Sequence, residues 1–123
     1  MGDKVIKNFS DLYAWKEAYK LTLKVYKLLK KLPKDETYIL VDQMKRCAVS
    51  VCSNIAEGFS RKSSKEKIQF YYLSHGSLTE LQNQLIISRG LGYITIAELK
   101  GAIEQTIVVQ KLINGLIRKL ISE

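Results

Sequence analysis

The stretch that decides the fold is Asn54-Ile55-Ala56-Glu57-Gly58-Phe59-Ser60-Arg61-Lys62-Ser63-Ser64-Lys65-Glu66. It joins two helical patterns through a connection of only a few residues. Upstream, residues 47–56 carry no charge, and apolar or small side chains recur at helical spacing. Gly58 suits the left-handed position that closes a helix, because it has no Cβ to oppose a positive φ. Ser60-Arg61-Lys62-Ser63 reads as a short basic loop. Ser63 and Glu66 then form a capping box, in which the hydroxyl and the carboxylate satisfy the first free amides of the next helix. A connection this short sets the two helices side by side and antiparallel.

The same punctuation recurs in both directions. Downstream, the third helix is predicted over 64–89, stopping at Gly90 or Gly92. Thr95-Ile96-Ala97-Glu98 is a second capping box that opens a helix over 96–121. Upstream, Asp35 is the expected cap of a helix over 36–57. A first helix over 11–32 starts at the N-cap Ser10, with Asp11 in its first turn, and stops at Pro33. The prediction is an all-α, antiparallel up-down-up-down four-helix bundle occupying residues 1–123 as one domain. One proline and seven glycines are too few for the turns of a small all-β domain.

Composition narrows the class further. With 46% hydrophobic and 26% charged residues the chain is globular rather than disordered. The longest run without a formal charge, Ile68 to Thr79, is twelve residues, well short of the roughly 20 a spanning helix needs. The first residues show no apolar core followed by a cleavage site, so no secretion signal is read there. Cys47 and Cys52 point about 140° apart on one helix, cannot pair within it and lack metal-ligand spacing. They read as reduced thiols of a cytoplasmic protein, with no metal and no cofactor expected.

Charge is the one global feature that points to a partner. The formal net charge is +8, with 20 Lys and Arg against 12 Asp and Glu. Residues 1–34 hold nine lysines against Asp3, Asp11 and Glu17, so +6 of the excess lies in the first quarter of the chain. At about 100° per residue, Lys16, Lys20, Lys24, Lys27 and Lys31 fall within roughly 80° on one face of the first helix. Lys34 keeps the phase beyond Pro33. Trp15, Ala18, Tyr19, Thr22, Val25, Tyr26, Leu29 and Leu32 occupy the opposite side, which is the expected core face. Glu17 is the only acid within the helix placed to neutralise the row.

Stacked ammonium groups can follow a phosphate backbone and release its counterions. The alternative is a solvated outer face that keeps the bundle soluble. Arg61, Lys62 and Lys65 extend the basic surface if folding brings them near the row. No zinc-finger spacing, helix-turn-helix pattern or RNA-reading aromatic motif specifies a base. An anionic membrane surface is disfavoured because the opposite helix face is needed for the core.

The second helix carries a narrow polar line, Gln43, Arg46, Ser50, Asn54 and Glu57, between two apolar sides. Val41, Met44, Ala48, Val51, Cys52 and Ile55 form the broader side; Tyr38, Val49 and Ala56 form the other. Apolarity on two sides predicts that this helix also meets another subunit. Ser77, Glu80 and Gln84 on the third helix are the matching polar positions, and a hydrogen-bonded network is the expected outcome. No catalytic residue is assigned. His75 has no nucleophile or acid at a diagnostic spacing, and there is no Gly-rich phosphate loop.

Gln43-Met44-Lys45-Arg46-Cys47-Ala48-Val49-Ser50, Asn54-Ile55-Ala56-Glu57-Gly58 and the following Arg61, Ser64 and Glu66 resemble a known signature. It is that of the bacterial four-helix-bundle proteins encoded in intervening sequences of 23S rRNA genes. Phe9, Leu12, Trp15 and Ala18, the segment from Pro33 to Leu40, Gly76-Ser77-Leu78 with Glu80-Leu81, and Leu91-Gly92-Tyr93 fit the same family, so the resemblance covers about residues 9–120. It implies an antiparallel bundle assembled into a homopentameric ring, RNA binding, and kinship with the accessory protein of diversity-generating retroelements, which binds nucleic acid and a reverse transcriptase. Cys52 stands where proline is common, and Lys45-Arg46 replaces an Arg-Arg pair, which removes a bidentate group from the first position.

The expectation is therefore a non-catalytic, oligomeric nucleic-acid-binding protein, with RNA favoured over DNA, whose first-helix lysines make sequence-independent phosphate contacts. The competing expectation is an interaction scaffold whose ring recruits a protein such as a reverse transcriptase.

Overall fold

A computed structural model describes residues 5–123 and shows four helices and no strand among them. They are α1 (Tyr13–Leu29), α2 (Asp42–Ser60), α3 (Ser64–Gly90) and α4 (Ile96–Ile121). Asp3 and Lys4 lie outside the described residues.

Cross-helix hydrogen bonds give the topology. Thr22 Oγ1 donates to the Ala48 carbonyl at 3.2 Å, and Ser50 meets Ser77 at 2.8 Å. Gln82 donates to Thr106 at 2.9 Å, and Gln105 to the Glu17 carbonyl at 2.9 Å. Each helix thus packs on its neighbours in sequence, and α4 returns to α1, in the expected up-down-up-down bundle. One core fills the centre, with Leu21, Val25, Met44, Val51, Ile55, Leu78, Leu81, Leu85, Val109 and Ile113 essentially inaccessible.

Both predicted caps after residue 60 are present. Ser63 Oγ accepts the Glu66 amide at 3.2 Å, although Glu66 Oε1 accepts from the Ser63 hydroxyl instead of its amide. Thr95 and Glu98 form the full reciprocal box, at 3.1 and 2.8 Å. Gly92, with φ of +83°, is the one residue in the left-handed region among those described. It closes α3 with amide bonds from Gly92 to Arg89 and from Tyr93 to Ser88, at 2.9 and 3.0 Å.

Four local expectations are corrected. Ser10 does not cap α1, whose N-cap is Leu12 with no side-chain hydrogen bond; the capped element is the turn before it, where the Asn8 side chain accepts the Ser10 amide at 2.9 Å and Asp11 accepts the Asn8 amide at 3.2 Å. Ser10 falls inside a 3₁₀ turn, Phe9–Asp11, and α1 starts two residues later. Asp35 does not cap α2. Pro33 leads into a 3₁₀ turn, Lys34–Glu36, followed by a π-turn, Thr37–Val41, and neither has a side-chain cap. The wide π-turn buries Leu40 and Val41 and leaves Tyr38 90% and Ile39 62% exposed. Glu36 there accepts the Tyr93 hydroxyl at 2.7 Å, tying this turn to the α3–α4 connection.

Gly58 is not a left-handed terminator. It is helical and buried, and α2 continues to Ser60. A Cβ at Gly58 would lie 2.7 Å from Tyr71 Cε1, so glycine serves the close approach of α2 to α3. Finally, α1 is rotated from the expected face. Ala14, Ala18, Leu21, Val25 and Leu29 point inward, while Tyr19 and Tyr26 are 46% and 38% exposed on the flank. A strip of small and branched side chains allows close packing, and each tyrosine keeps its hydroxyl near water.

Candidate nucleic-acid interface

The lysine row is real as a helix face but is divided by two acids, Glu17 of α1 itself and Glu98, which the tertiary fold brings from α4. Lys16 is half-buried, with Nζ 5.4 Å from the Tyr13 ring centroid. Lys20 pairs with Glu17 at 2.9 Å, and Glu17 also accepts from Gln105 of α4 at 3.1 Å. These two hydrogen bonds, Lys20 first, hold the Glu17 carboxyl below its ordinary range. At the other end of α1, Lys31 pairs with Glu98 of α4. That lysine and the Thr95 amide hold the Glu98 carboxyl below its ordinary range. Glu98 is sixty-seven residues away in sequence, so its role as counter-ion is invisible to any helix-face argument.

Of this group the cations left over are Lys24 and Lys27 on α1, Lys30 just past its end and Lys34 in the following turn, all exposed and in no ion pair among the described residues. Lys24, Lys27, Lys30 and Lys31 edge one depression of about 450 Å³ with Leu28 and Glu98. Lys27 and Lys30 edge a second, with Lys45 of α2. Lys30 and Lys45 were not among the predicted contacts. Lys30 is off the row, and Lys45 lies on another helix.

Arg61, Lys62 and Lys65 do not join this group. Their loop lies by the start of α1, where Phe9 lines a surface depression with Ala56, Glu57 and Ser60. The 17 residues of α1, roughly 25 Å of helix, separate that end from Lys30 and Lys31. Arg61 is also engaged, pairing with Glu57 at 3.0 Å and lying 4.5 Å from the Phe70 ring centroid. Lys62 and Lys65 are exposed.

The polar line of α2 resolves into two parts. Its middle forms a network within the chain: Ser50 with Ser77, and Asn54 Nδ2 donating to the Ser50 carbonyl and hydroxyl at 2.9 and 3.0 Å. Cys47 Sγ donates to Glu80 at 3.4 Å. Burial, and secondarily that carboxylate, push the Cys47 thiol pKa up; burial does the same for Cys52. Gln84 is buried, and its Oε1 accepts no hydrogen bond among the described residues. The ends of the line turn outward: Gln43 is exposed, Arg46 pairs with Asp42 at 3.2 Å, and Glu57 is held by Arg61. On the second apolar side, Tyr38 and Val49 are exposed and Ala56 is half-buried. His75 Nε2 lies 2.6 Å from Asn114 Oδ1. Among the described residues no helix is long and apolar enough to cross a membrane.

These features define a basic all-α protein, a four-helix bundle with four exposed, unpaired lysines, Lys24, Lys27, Lys30 and Lys34, in the second half of its first helix and the turn after it. The 23S rRNA-intervening sequence protein family matches residues 10–115, and the chain belongs to that family. Among solved structures it is similar to a protein of unknown function from the S23 ribosomal protein family of Bacteroides thetaiotaomicron. The two are 18% identical, with a TM-score of 0.79 over 85% of this chain and 95% of that one. At that identity the likeness bears on the fold alone. No curated protein matches the chain.

Proposed function

We propose that this is a non-catalytic, oligomeric nucleic-acid-binding protein, with RNA as the favoured ligand, that grips phosphates through the lysines of α1. The observation that carries the reading is the group Lys24, Lys27 and Lys30, exposed and unmatched by acids, beside the mixed pair Lys31–Glu98. Phosphate neutralisation is sequence-independent and falls steeply with salt. Subunit association through Val49 and Ala56 of α2 and Tyr38 of the turn before it would repeat the lysines in one particle and raise avidity without new contacts.

Fluorescence anisotropy with labelled RNA tests this. Binding at low salt is expected, with a steep loss as KCl rises and a large loss in the triple variant K24E/K27E/K30E. Binding unchanged in that variant, or none at low salt, overturns the reading.

A second reading rests on the exposed apolar residues Tyr72, Leu73, Ile86 and Ile87 of α3. They favour a scaffold that recruits a protein, such as the reverse transcriptase implied by kinship with retroelement accessory proteins. Such a complex would survive high salt.

A further inference from the structure

Near the C-terminal end of α1 lysines in no ion pair share a cleft with an aromatic side chain. Lys27 and Lys30 of α1 and Lys45 of α2 edge a cleft of about 510 Å³, whose walls also include Leu23, Tyr26 and Val41. That volume is within the range of small-molecule sites, about 300–1,000 Å³. Tyr26 is 38% exposed, and the half-buried Lys45 holds its Nζ over one face of the ring, 5.1 Å from the centroid, which leaves only the opposite face to a base. Tyr26 and Lys45 also line an adjoining cleft of about 500 Å³, but that one holds the Arg46–Asp42 ion pair and Val49 of the side proposed above for subunit association. The first cleft is therefore the one in which an aromatic side chain stands with three ammonium groups and no acid in its lining. None of the three lysines is in an ion pair among the described residues.

Phosphate contact alone needs no ring in a cleft. A duplex keeps its bases stacked inside, so an aromatic side chain on the protein surface gains nothing from it. An unpaired strand offers its base faces, and a groove that combines aromatic platforms with cations is the usual way such strands are held. The geometry points to single-stranded RNA as the ligand of this cleft, with a base stacked on Tyr26 and the neighbouring phosphates held by Lys27, Lys30 and Lys45. This rests on the nucleic-acid reading above and adds the strandedness and the stacking residue.

The experiment is an anisotropy titration of the full chain with a fluorescein-labelled 15-nucleotide RNA and with the same RNA annealed to its complement, across a range of KCl. The unsubstituted protein should prefer the single strand. Y26L, which keeps apolar bulk but removes the ring, should weaken single-strand binding about tenfold or more, with the salt slope and the duplex affinity unchanged. Y26F should bind as the unsubstituted protein does. K27Q, K30Q and K45Q should each make the salt slope shallower. Light scattering should give Y26L the mass of the unsubstituted protein.

If Y26L binds the single strand normally while the lysine variants lose affinity, the stacking proposal falls and phosphate contact stands. A preference for duplex also overturns it. If Y26L loses binding together with its assembly, Tyr26 belongs to a subunit contact and the proposal falls. If no RNA binds the unsubstituted protein, the underlying reading fails as well.

Discussion

Replacing Gly58 with alanine should destabilise the protein, whereas the same change at Gly76 should stabilise it, although both glycines are helical. Alanine gains about 1 kcal/mol over glycine in a helix interior at either position. At Gly76 of α3 an added Cβ meets nothing within 4 Å, so that gain is uncancelled. At Gly58 the Cβ would lie 2.7 Å from Tyr71 Cε1, 3.0 Å from Cδ1 and 3.1 Å from Phe70 Cβ. Ordinary carbon contacts are about 3.5–4.0 Å, so the Tyr71 ring must retreat by roughly 1 Å. That ring is 2% exposed and fills the α2–α3 seam. Overpacking of this kind costs about 1–3 kcal/mol, which cancels or exceeds the helix gain. The two variants should therefore differ by about 1–3 kcal/mol, with G58A the less stable. Urea unfolding followed by circular dichroism, at one fixed protomer concentration, reads this as a midpoint difference of roughly 0.5–1.5 M for a slope near 2 kcal/mol/M. G115A is a second control, because its Cβ also meets nothing within 4 Å. A G58A midpoint equal to or above that of G76A would refute the close-approach role of Gly58.

Three further outcomes follow from the same geometry. Both thiols should resist Ellman's reagent near neutral pH and react on unfolding in urea, since burial raises Cys47 and Cys52; rapid labelling of folded protein would contradict their placement. Glu17 and Glu98 have carboxyl pKa values lowered by folding, so their contribution is full above the unfolded value of about 4.3 and is lost as pH falls through the folded values. Urea midpoints should thus drop on acidification, less steeply in E17Q/E98Q, and an equally steep drop in that variant would remove these groups from the account. T95A should cost about 1 kcal/mol through the lost cap while T95S retains most of it, as urea midpoints would show; a T95A midpoint unchanged from the parent would mean the box adds nothing.

Local chemistry was legible where one turn of chain contains both partners. Ser63 with Glu66 and Thr95 with Glu98 needed no tertiary information, so four helices and their order followed, whereas α1 ends at Leu29, three residues before the Leu32 expected from Pro33. Errors arose where several residues compete for one role. Asn8 outcompetes Ser10 because its side chain reaches the amide two residues ahead, and Gly58 served packing rather than termination. Helical periodicity alone does not fix the rotation of α1, because tyrosines are apolar enough for a core face yet sit comfortably at a wet flank.

The sequence by itself determined an all-α bundle and a concentration of lysine on its first helix, because helical periodicity and caps are encoded within a few residues. Only the tertiary structure decided which lysines stay free. Glu98 reaches Lys31, and Gln105 orients Glu17, from a helix that lies distant in sequence and adjacent in space. It also carried Lys45 to Tyr26 across the α1–α2 seam. Charge pairing and cleft formation depend on how helices are rotated against one another, and that rotation is set by core packing between elements rather than by the order of residues within one.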